Sequence, residues 1–180
     1  MTTTTGILYL ERIDSPIGRI EITSDGTSVT SVSMEHDGTL PHDGVDTMTT
    51  PVLAEAVRQL REYFAGERTE FDVPVDPQGT AFQKAVWAQI AAIEWGDVRS
   101  YGEIGHAIDR PHAGRAIGQA VGANPVPLLI GCHRVLSSTG HITGYSGGNG
   151  IPTKVWLLDH EEIAHRGAAP ALFDLQPVDA

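Results

Sequence analysis

The proline and glycine pair in Asp76-Pro77-Gln78-Gly79 marks a linker that divides this chain into a first part whose apolar pattern is β and then helical and a second that is mostly helical, and that division limits what each part can fold into. Before it, Tyr9 to Ile13, Arg19 to Thr23 and Val29 to Met34 alternate or carry β-branched residues, with Ser15-Pro16-Ile17-Gly18 and Asp25-Gly26 as turn signals. The pattern predicts a small antiparallel sheet. A polar, Gly/Asp-rich loop follows, in which His36 and His42 read as solvated residues because no second ligand cluster accompanies them. Thr50-Pro51 then supplies an N-cap and a first-turn proline. Val52, Leu53, Ala56, Val57, Leu60 and Phe64 recur at helical spacing until Gly66. Phe71 to Val75 reads as a further strand.

After the break the pattern is helical. Thr80 can cap a helix with Phe82, Ala85, Val86, Ile90 and Ile93 as its apolar positions, ended by Trp95-Gly96. Ser100 and Glu103 form a capping-box pattern opening a helix from Tyr101 to Ile108, broken by Asp109-Arg110-Pro111-His112. A second helix runs from Ala113 to Val121, stopped by Gly122 and Asn124-Pro125. Two short helices joined by a tight break have the outline of a helix-turn-helix. The second carries Ala113, Gly114, Ala116, Gly118, Ala120 and Gly122, so it either approaches another surface closely or packs tightly inside the protein. The fold class expected is α+β, a sheet-and-helix domain over 1–76 and a mostly helical domain over 77–166, with 167–180 as a tail.

Charge narrows the partners. With 23 acidic residues against 12 Lys and Arg in 180, the chain has no general attraction to phosphate backbones or anionic membranes. The balance is uneven, however. Between Thr80 and Gly148 five cations (Lys84, Arg99, Arg110, Arg115, Arg134) meet four acids (Glu94, Asp97, Glu103, Asp109), so a nucleic-acid partner survives for that segment. Met1 to Thr5 has no positive region, and no apolar stretch reaches the roughly 18 residues of a membrane span. A soluble cytoplasmic protein is expected.

The chemistry concentrates on the one cysteine, Cys132, which follows Leu128-Leu129-Ile130-Gly131 and precedes His133-Arg134-Val135. The apolar run reads as a short buried strand whose exit presents the thiol. A free thiol of pKa about 8.5 is only slightly ionised at neutral pH, so a base beside it matters, and His133 is the candidate. The competing reading of a bare Cys-His pair is a buried structural cysteine beside an unrelated histidine. Further on, Ser137 to Gly140 and Gly144 to Gly148 make small-residue loops able to lie against a flat ligand. Pro152 starts a last helix with Val155, Trp156, Leu158 and Ile163 as its apolar side. By position alone Glu161 and Glu162 read as exposed on its end, although either would orient His133 if it reached it.

Phe82 to Trp87, Ser100-Tyr101-Gly102, Arg115 to Gly118, Asn124-Pro125, Cys132 to Val135 and Gly144 to Gly148 together resemble, in order and spacing, the O6-alkylguanine-DNA alkyltransferases. The resemblance is specific from Thr80 to Glu161; the first 76 residues fit the family's ribonuclease-H-like N-terminal domain by length and strand pattern. It implies repair of O6-alkylguanine, and of O4-alkylthymine, in double-stranded DNA by irreversible transfer of the alkyl group to Cys132. The catalytic set implied is Cys132, His133, Glu161, Tyr101 and Asn124, with Val135, Tyr145, Ser146 and Gly147 around the base. Arg115, Ala116, Gly118 and Ser100 would meet DNA in the minor groove, Arg115 replacing the flipped base. The resemblance implies a monomer with no cofactor, metal or obligate protein partner. Gly131 stands where the family has proline, and Gly148 to Lys154 is about two residues longer than the family spacing. A non-catalytic damage-recognition protein, a Cys-His hydrolase and a DNA-binding regulator are the alternatives.

Overall fold

The computed structural model describes residues 8–168, which begin with an antiparallel meander of β1 (Tyr9–Ile13), β2 (Ile20–Ser24) and β3 (Val29–Met34). A bond from the Gly18 N–H to the Ser15 carbonyl, 3.1 Å, closes the first turn and sets Ile13 opposite Ile20. The central strand β2 is buried along its whole length, beyond what alternation predicts. Its polar face is covered by side chains. Glu21 accepts from Arg12 Nε at 3.0 Å and lies 2.6 Å from His42 Nδ1. His42 therefore fastens its loop to the sheet instead of standing free, and His36 Nδ1 reaches the Gly148 carbonyl at 2.9 Å.

Helix α1 (Pro51–Phe64) is capped by Thr50 and packs on all three strands through Val52, Leu53, Ala56, Leu60 and Tyr63. Phe71 to Val75 is not a strand. Asp72 gives its N–H to Gln59 Oε1 (3.1 Å) and Pro74 has none to give, so only Val75 bridges β3, at Val29.

Helix α2 (Ala81–Ala91) opens with a Thr80/Gln83 capping box and stops before Ile93, whose N–H turns back to Ile90. Ser100 ends the two-residue β4 (Arg99–Ser100) and caps α3 (Tyr101–Ala107) with Glu103; α4 (Gly114–Gly122) follows. Close crossing of α3 and α4 requires Gly105, where a Cβ would stand 2.8 Å from Ile117 Cδ1 and 2.9 Å from the Arg110 carbonyl. Trp87 Nε1 donates to the Ala120 carbonyl at 2.8 Å and holds α2 against α4. These contacts build the helix-turn-helix.

The run Leu128 to Ile130 is a buried turn and not the expected strand. The Ile130 N–H returns to the Val126 carbonyl at 2.9 Å, Leu128 takes φ 73°, and Asn124 clamps both ends. Its Oδ1 accepts the Val126 N–H (3.1 Å) and its Nδ2 donates to the Ile130 carbonyl (2.7 Å). A short apolar run satisfies a buried strand and a buried turn alike. Cys132–Arg134 is a single 3₁₀ turn leading into β5 (Val135–Leu136), which pairs in parallel with β4; α5 (Ile151–His160) closes the fold.

One apolar core runs from Ile13 to Leu157 across the Asp76–Gly79 junction, and the Val32 N–H bonds to the Pro125 carbonyl at 2.9 Å. The sheet thereby buttresses the turn that carries Cys132. Among the described residues no helix is long and apolar enough to cross a membrane. Of the expected tail, Gly167 and Ala168 pair with Ile142, and 169–180 lie outside the described residues.

Candidate active site

Cys132 is 4% exposed and lies on the wall of a cavity of about 430 Å³. Tyr101 of α3, Gly118 and Gly122 of α4, Tyr145 and Ser146 of the small-residue loop and Lys154 of α5 share that wall. A second cavity of about 710 Å³ reaches Cys132 from the side of Asn124, Gly147 and the loop after β3. The thiol is thus open to a ligand although the residue is buried. Burial pushes its pKa up, and Asn124 and the charge of Lys154 pull it back.

Behind the thiol lies a buried ionic cluster. His133 Nε2 is 2.7 Å from Glu161 Oε1, and both side chains are wholly buried. Tyr63 Oη donates to the same oxygen at 2.7 Å, while Arg134 donates to Glu161 at 2.7 and 3.0 Å and to the Ile93 carbonyl at 2.6 Å. Burial alone would raise the Glu161 pKa, but His133 and Arg134 hold it at about 2. Burial lowers that of His133, against the pull of Glu161, so the imidazole is neutral at rest. An ionised Glu161 can only accept, so Nε2 carries the proton and Nδ1 keeps its lone pair. That Nδ1 is buried and has no hydrogen-bond partner among the described residues.

The other candidates fall into place around this centre. Tyr101 Oη accepts from Thr143 Oγ1 at 3.0 Å, leaving its own proton free to donate. Asn124 shapes the turn before Cys132. The Val135 carbonyl takes Lys154 Nζ at 2.6 Å and keeps a second lone pair. Ser146 Oγ donates to the Gly122 carbonyl at 2.9 Å, tying its loop to the end of α4. Tyr145 Oη is buried and has no hydrogen-bond partner among the described residues, and burial raises its pKa. Glu161 reaches His133, whereas Glu162 is exposed. Arg115 and Ala116 are exposed on α4 and line neither cavity; Ser100 is spent on its cap, bonded both ways to Glu103. A Cβ added at Gly114, Gly118 or Gly122 would meet nothing within 4 Å, so the glycines of this helix face open space, whereas Ala120 packs in the core. Among the described residues no group of three His, Cys, Asp or Glu could hold a metal ion.

Three contributors were missed in the sequence. Tyr63 continues the 53, 56, 60 spacing of α1 and was legible there. Arg134, counted above among cations available to a nucleic acid, is 7% exposed and bound to Glu161, so it can touch no phosphate. Lys154 is 1% exposed, and nothing in its local pattern marks it as buried.

Gly131 has φ −70°, within proline's range, and its N–H makes no hydrogen bond among the described residues. A Cβ there would stand 3.2 Å from three atoms of Arg134, which must shift slightly. Gly131→Pro is expected to stabilise by about 0.4–1 kcal/mol through the unfolded chain, raising the melting temperature by about 1–4 °C. A lower melting temperature would mean that Arg134 cannot yield.

Residues 8–77 match the family described as 6-O-methylguanine DNA methyltransferase, ribonuclease-like domain, and residues 81–163 its DNA binding domain. The methylated-DNA–protein-cysteine methyltransferase of Mycobacterium tuberculosis is 42% identical over 93% of this chain and 100% of its own. The crystal structure of the Mycobacterium tuberculosis O6-methylguanine methyltransferase superposes with a TM-score of 0.77 at 41% identity, covering 94% of this chain and 99% of that one. The same organism's OGT in complex with DNA gives 0.76 at 43%, covering 86% and 92%. With a cysteine and its buried His-Glu pair inside this fold, the chain belongs to the methylated-DNA–protein-cysteine methyltransferase family.

Proposed function

We propose that this protein repairs alkylated double-stranded DNA by moving the alkyl group from O6 of guanine, or O4 of thymine, onto Cys132, once per molecule. The observation that carries the reading is the thiol on the wall of a cavity beside α4, with His133 and Glu161 behind it. The family match and the relative crystallised with DNA support it. We take it to act as a cytoplasmic monomer, with 77–166 as the working domain and 1–76 as its ribonuclease-H-like support.

His133 Nδ1 has the free lone pair to take the thiol proton through a bridging water, and Glu161 stabilises the imidazolium that forms. The thiolate attacks the alkyl carbon, the S–C bond forms, and the C–O6 bond breaks with its electron pair staying on guanine. Tyr101 donates a hydrogen bond or its proton as guanine leaves, and where the proton is transferred the one taken by His133 restores the phenol and leaves the imidazole neutral. The Cys132 and Val135 carbonyls accept from the exocyclic amine, and the Ser146 N–H meets O6. Sulfur provides both electrons, so no cofactor is needed. A thioether is a poor leaving group, which makes the reaction irreversible.

An alkyl group on O6 is out of reach of the thiol inside a duplex, so the base must be flipped. The open glycine face of α4 lets backbone approach a minor groove, and exposed Arg115 is free to fill the emptied stack. The test is a duplex carrying labelled O6-methylguanine, followed by mass analysis. One methyl increment per protein on the Cys132 peptide is expected; no increment, or product well beyond the protein present, would refute the reading. Arg115→Ala is expected to slow repair of duplex at least tenfold, about 1.4 kcal/mol in barrier, and to leave reaction with free O6-benzylguanine within about twofold, roughly 0.4 kcal/mol on the same scale. Equal losses on both substrates would assign Arg115 to the architecture of the pocket.

A further inference from the structure

The loop that carries Tyr145 and Ser146 has little shape of its own. It contains Gly144, Gly147, Gly148 and Gly150, and the φ of 53° at Gly148 and 73° at Gly150 lies where glycine alone is at ease. Backbone of this kind is fixed by what it touches. Its ends are held from within the C-terminal domain, where Ser146 Oγ donates to the Gly122 carbonyl at 2.9 Å and the Asn149 N–H to Thr153 Oγ1 at 3.0 Å. A bond from the Gly150 N–H to the Gly147 carbonyl, 3.0 Å, closes the turn between them. The middle of the loop, Gly147-Gly148, is held from the N-terminal domain.

The hold comes from β3 and the residues just beyond it. The Glu35 N–H bonds to the Arg19 carbonyl at 2.8 Å, so the chain stays extended past Met34, and residues 34 and 36 face one way while 35 faces the other. Glu35 Oε1 accepts from Arg19 Nε at 2.7 Å, away from the loop. Met34 packs on the loop, since a Cβ at Gly147 would stand 2.9 Å from its Cε. His36 Nδ1 lies 2.9 Å from the Gly148 carbonyl, 112 residues away in sequence. That oxygen can only accept, so Nδ1 carries a proton and donates it. A two-residue turn aims the ring: His36 and Thr39 exchange both backbone bonds at 3.1 and 3.0 Å, with Asp37 at φ 48° and Gly38 at φ 76° between them. The ring itself is 68% exposed, so the core does not depend on it. Met34 and His36 line the second cavity, the one that reaches Cys132 from the side of Asn124.

We propose that His36 is a positioning residue of the alkyl transfer: through it the N-terminal domain clasps the Gly148 carbonyl and holds the glycine-rich loop where Tyr145 and the Ser146 N–H meet the flipped base. This role rests on the repair reaction given above. It gives the sheet domain a second part in the site. Val32 already buttresses the turn behind Cys132 through the Pro125 carbonyl, and Met34 and His36, further along the same strand, fix the opposite wall.

His36→Ala removes the clasp at an exposed position and is expected to fold as wild type does. Its single-turnover reaction with free O6-benzylguanine is expected to slow about fivefold, the effect of one lost hydrogen bond. His36→Asn, whose shorter side chain keeps an N–H near the place of Nδ1, is expected to recover most of that rate. Because Cys132 is the sole thiol, the pH midpoint of its modification by iodoacetamide reports the nucleophile alone, and it should not move in either variant. By hydrogen exchange the Asn149 and Gly150 amides should lose protection in His36→Ala while those of α4 keep theirs. An undiminished rate in His36→Ala would overturn the proposal. So would a loss that His36→Asn does not recover, a shifted thiol midpoint, or unchanged protection of the loop. A wild-type protein that takes no methyl group from DNA would instead refute the repair reaction, and the O6-benzylguanine and exchange measurements would still decide the clasp.

Discussion

Cys132→Ala is expected to bind duplex DNA containing O6-methylguanine and to transfer nothing. The loss should be complete because the chain has no second thiol, and because the cavity presents no other side chain with comparable nucleophilicity at neutral pH. Tyr101 and Tyr145 are phenols, and burial raises the pKa of Tyr145 still further. Lys154 is engaged with two carbonyls. Affinity should change by no more than about threefold, roughly 0.6 kcal/mol, since the thiol lies on the cavity wall and the open face of α4 is untouched. The measurement pairs a binding titration with mass analysis after prolonged incubation. A methyl group found anywhere on the variant protein would identify another nucleophile and sink the assignment of Cys132.

How far the site could be read in the sequence depended on whether its determinants were local. Caps and turns were legible because their partners lie within a few residues: Thr50 on Leu53, Thr80 with Gln83, Ser100 with Glu103. Three strands followed from alternation, β-branched residues and turn signals, and the helix-turn-helix from a capping box and two breaks. Leu128 to Ile130 was misread because a run of three apolar residues carries no period, and the information that makes it a turn sits in the Asn124 side chain. The end of α5 was harder still. A glutamate after the last turn of a helix belongs in solvent unless something distant takes it in, and Glu161 is taken in by Tyr63, Arg134 and His133 from 98, 27 and 28 residues away. Ordered motifs located the chemistry. The charges buried beside it, Arg134 and Lys154, became visible only once burial was known.

Glu161→Gln is expected to be the most destabilising single change at the site. The carboxylate accepts from Tyr63, His133 and both donor atoms of Arg134, all in the interior. The amide keeps one acceptor oxygen, turns an N–H group toward donors, and leaves the Arg134 guanidinium buried without its anion. Breaking a buried pair in this way costs about 3–5 kcal/mol, which for a chain of this length lowers the melting temperature by roughly 6–20 °C. Acid should remove the same stabilisation from the wild type. The Glu161 pKa is depressed in the fold, so its contribution is fully present above the ordinary value of 4.5 and is lost as pH falls toward about 2. His133, whose pKa is also lowered, adds a loss that starts below its ordinary value of 6.5. Denaturant unfolding of both proteins from pH 7 to pH 2 should show a wide stability gap that closes between about pH 4.5 and pH 2. Alkyl transfer by the variant at neutral pH should fall at least tenfold even under conditions where it is folded, about 1.4 kcal/mol in barrier, because His133 loses the anion that stabilises its charged form. A gap that stayed constant across the acid range would mean that the carboxylate is not ionised in the fold, and His133 would then have no anion behind it.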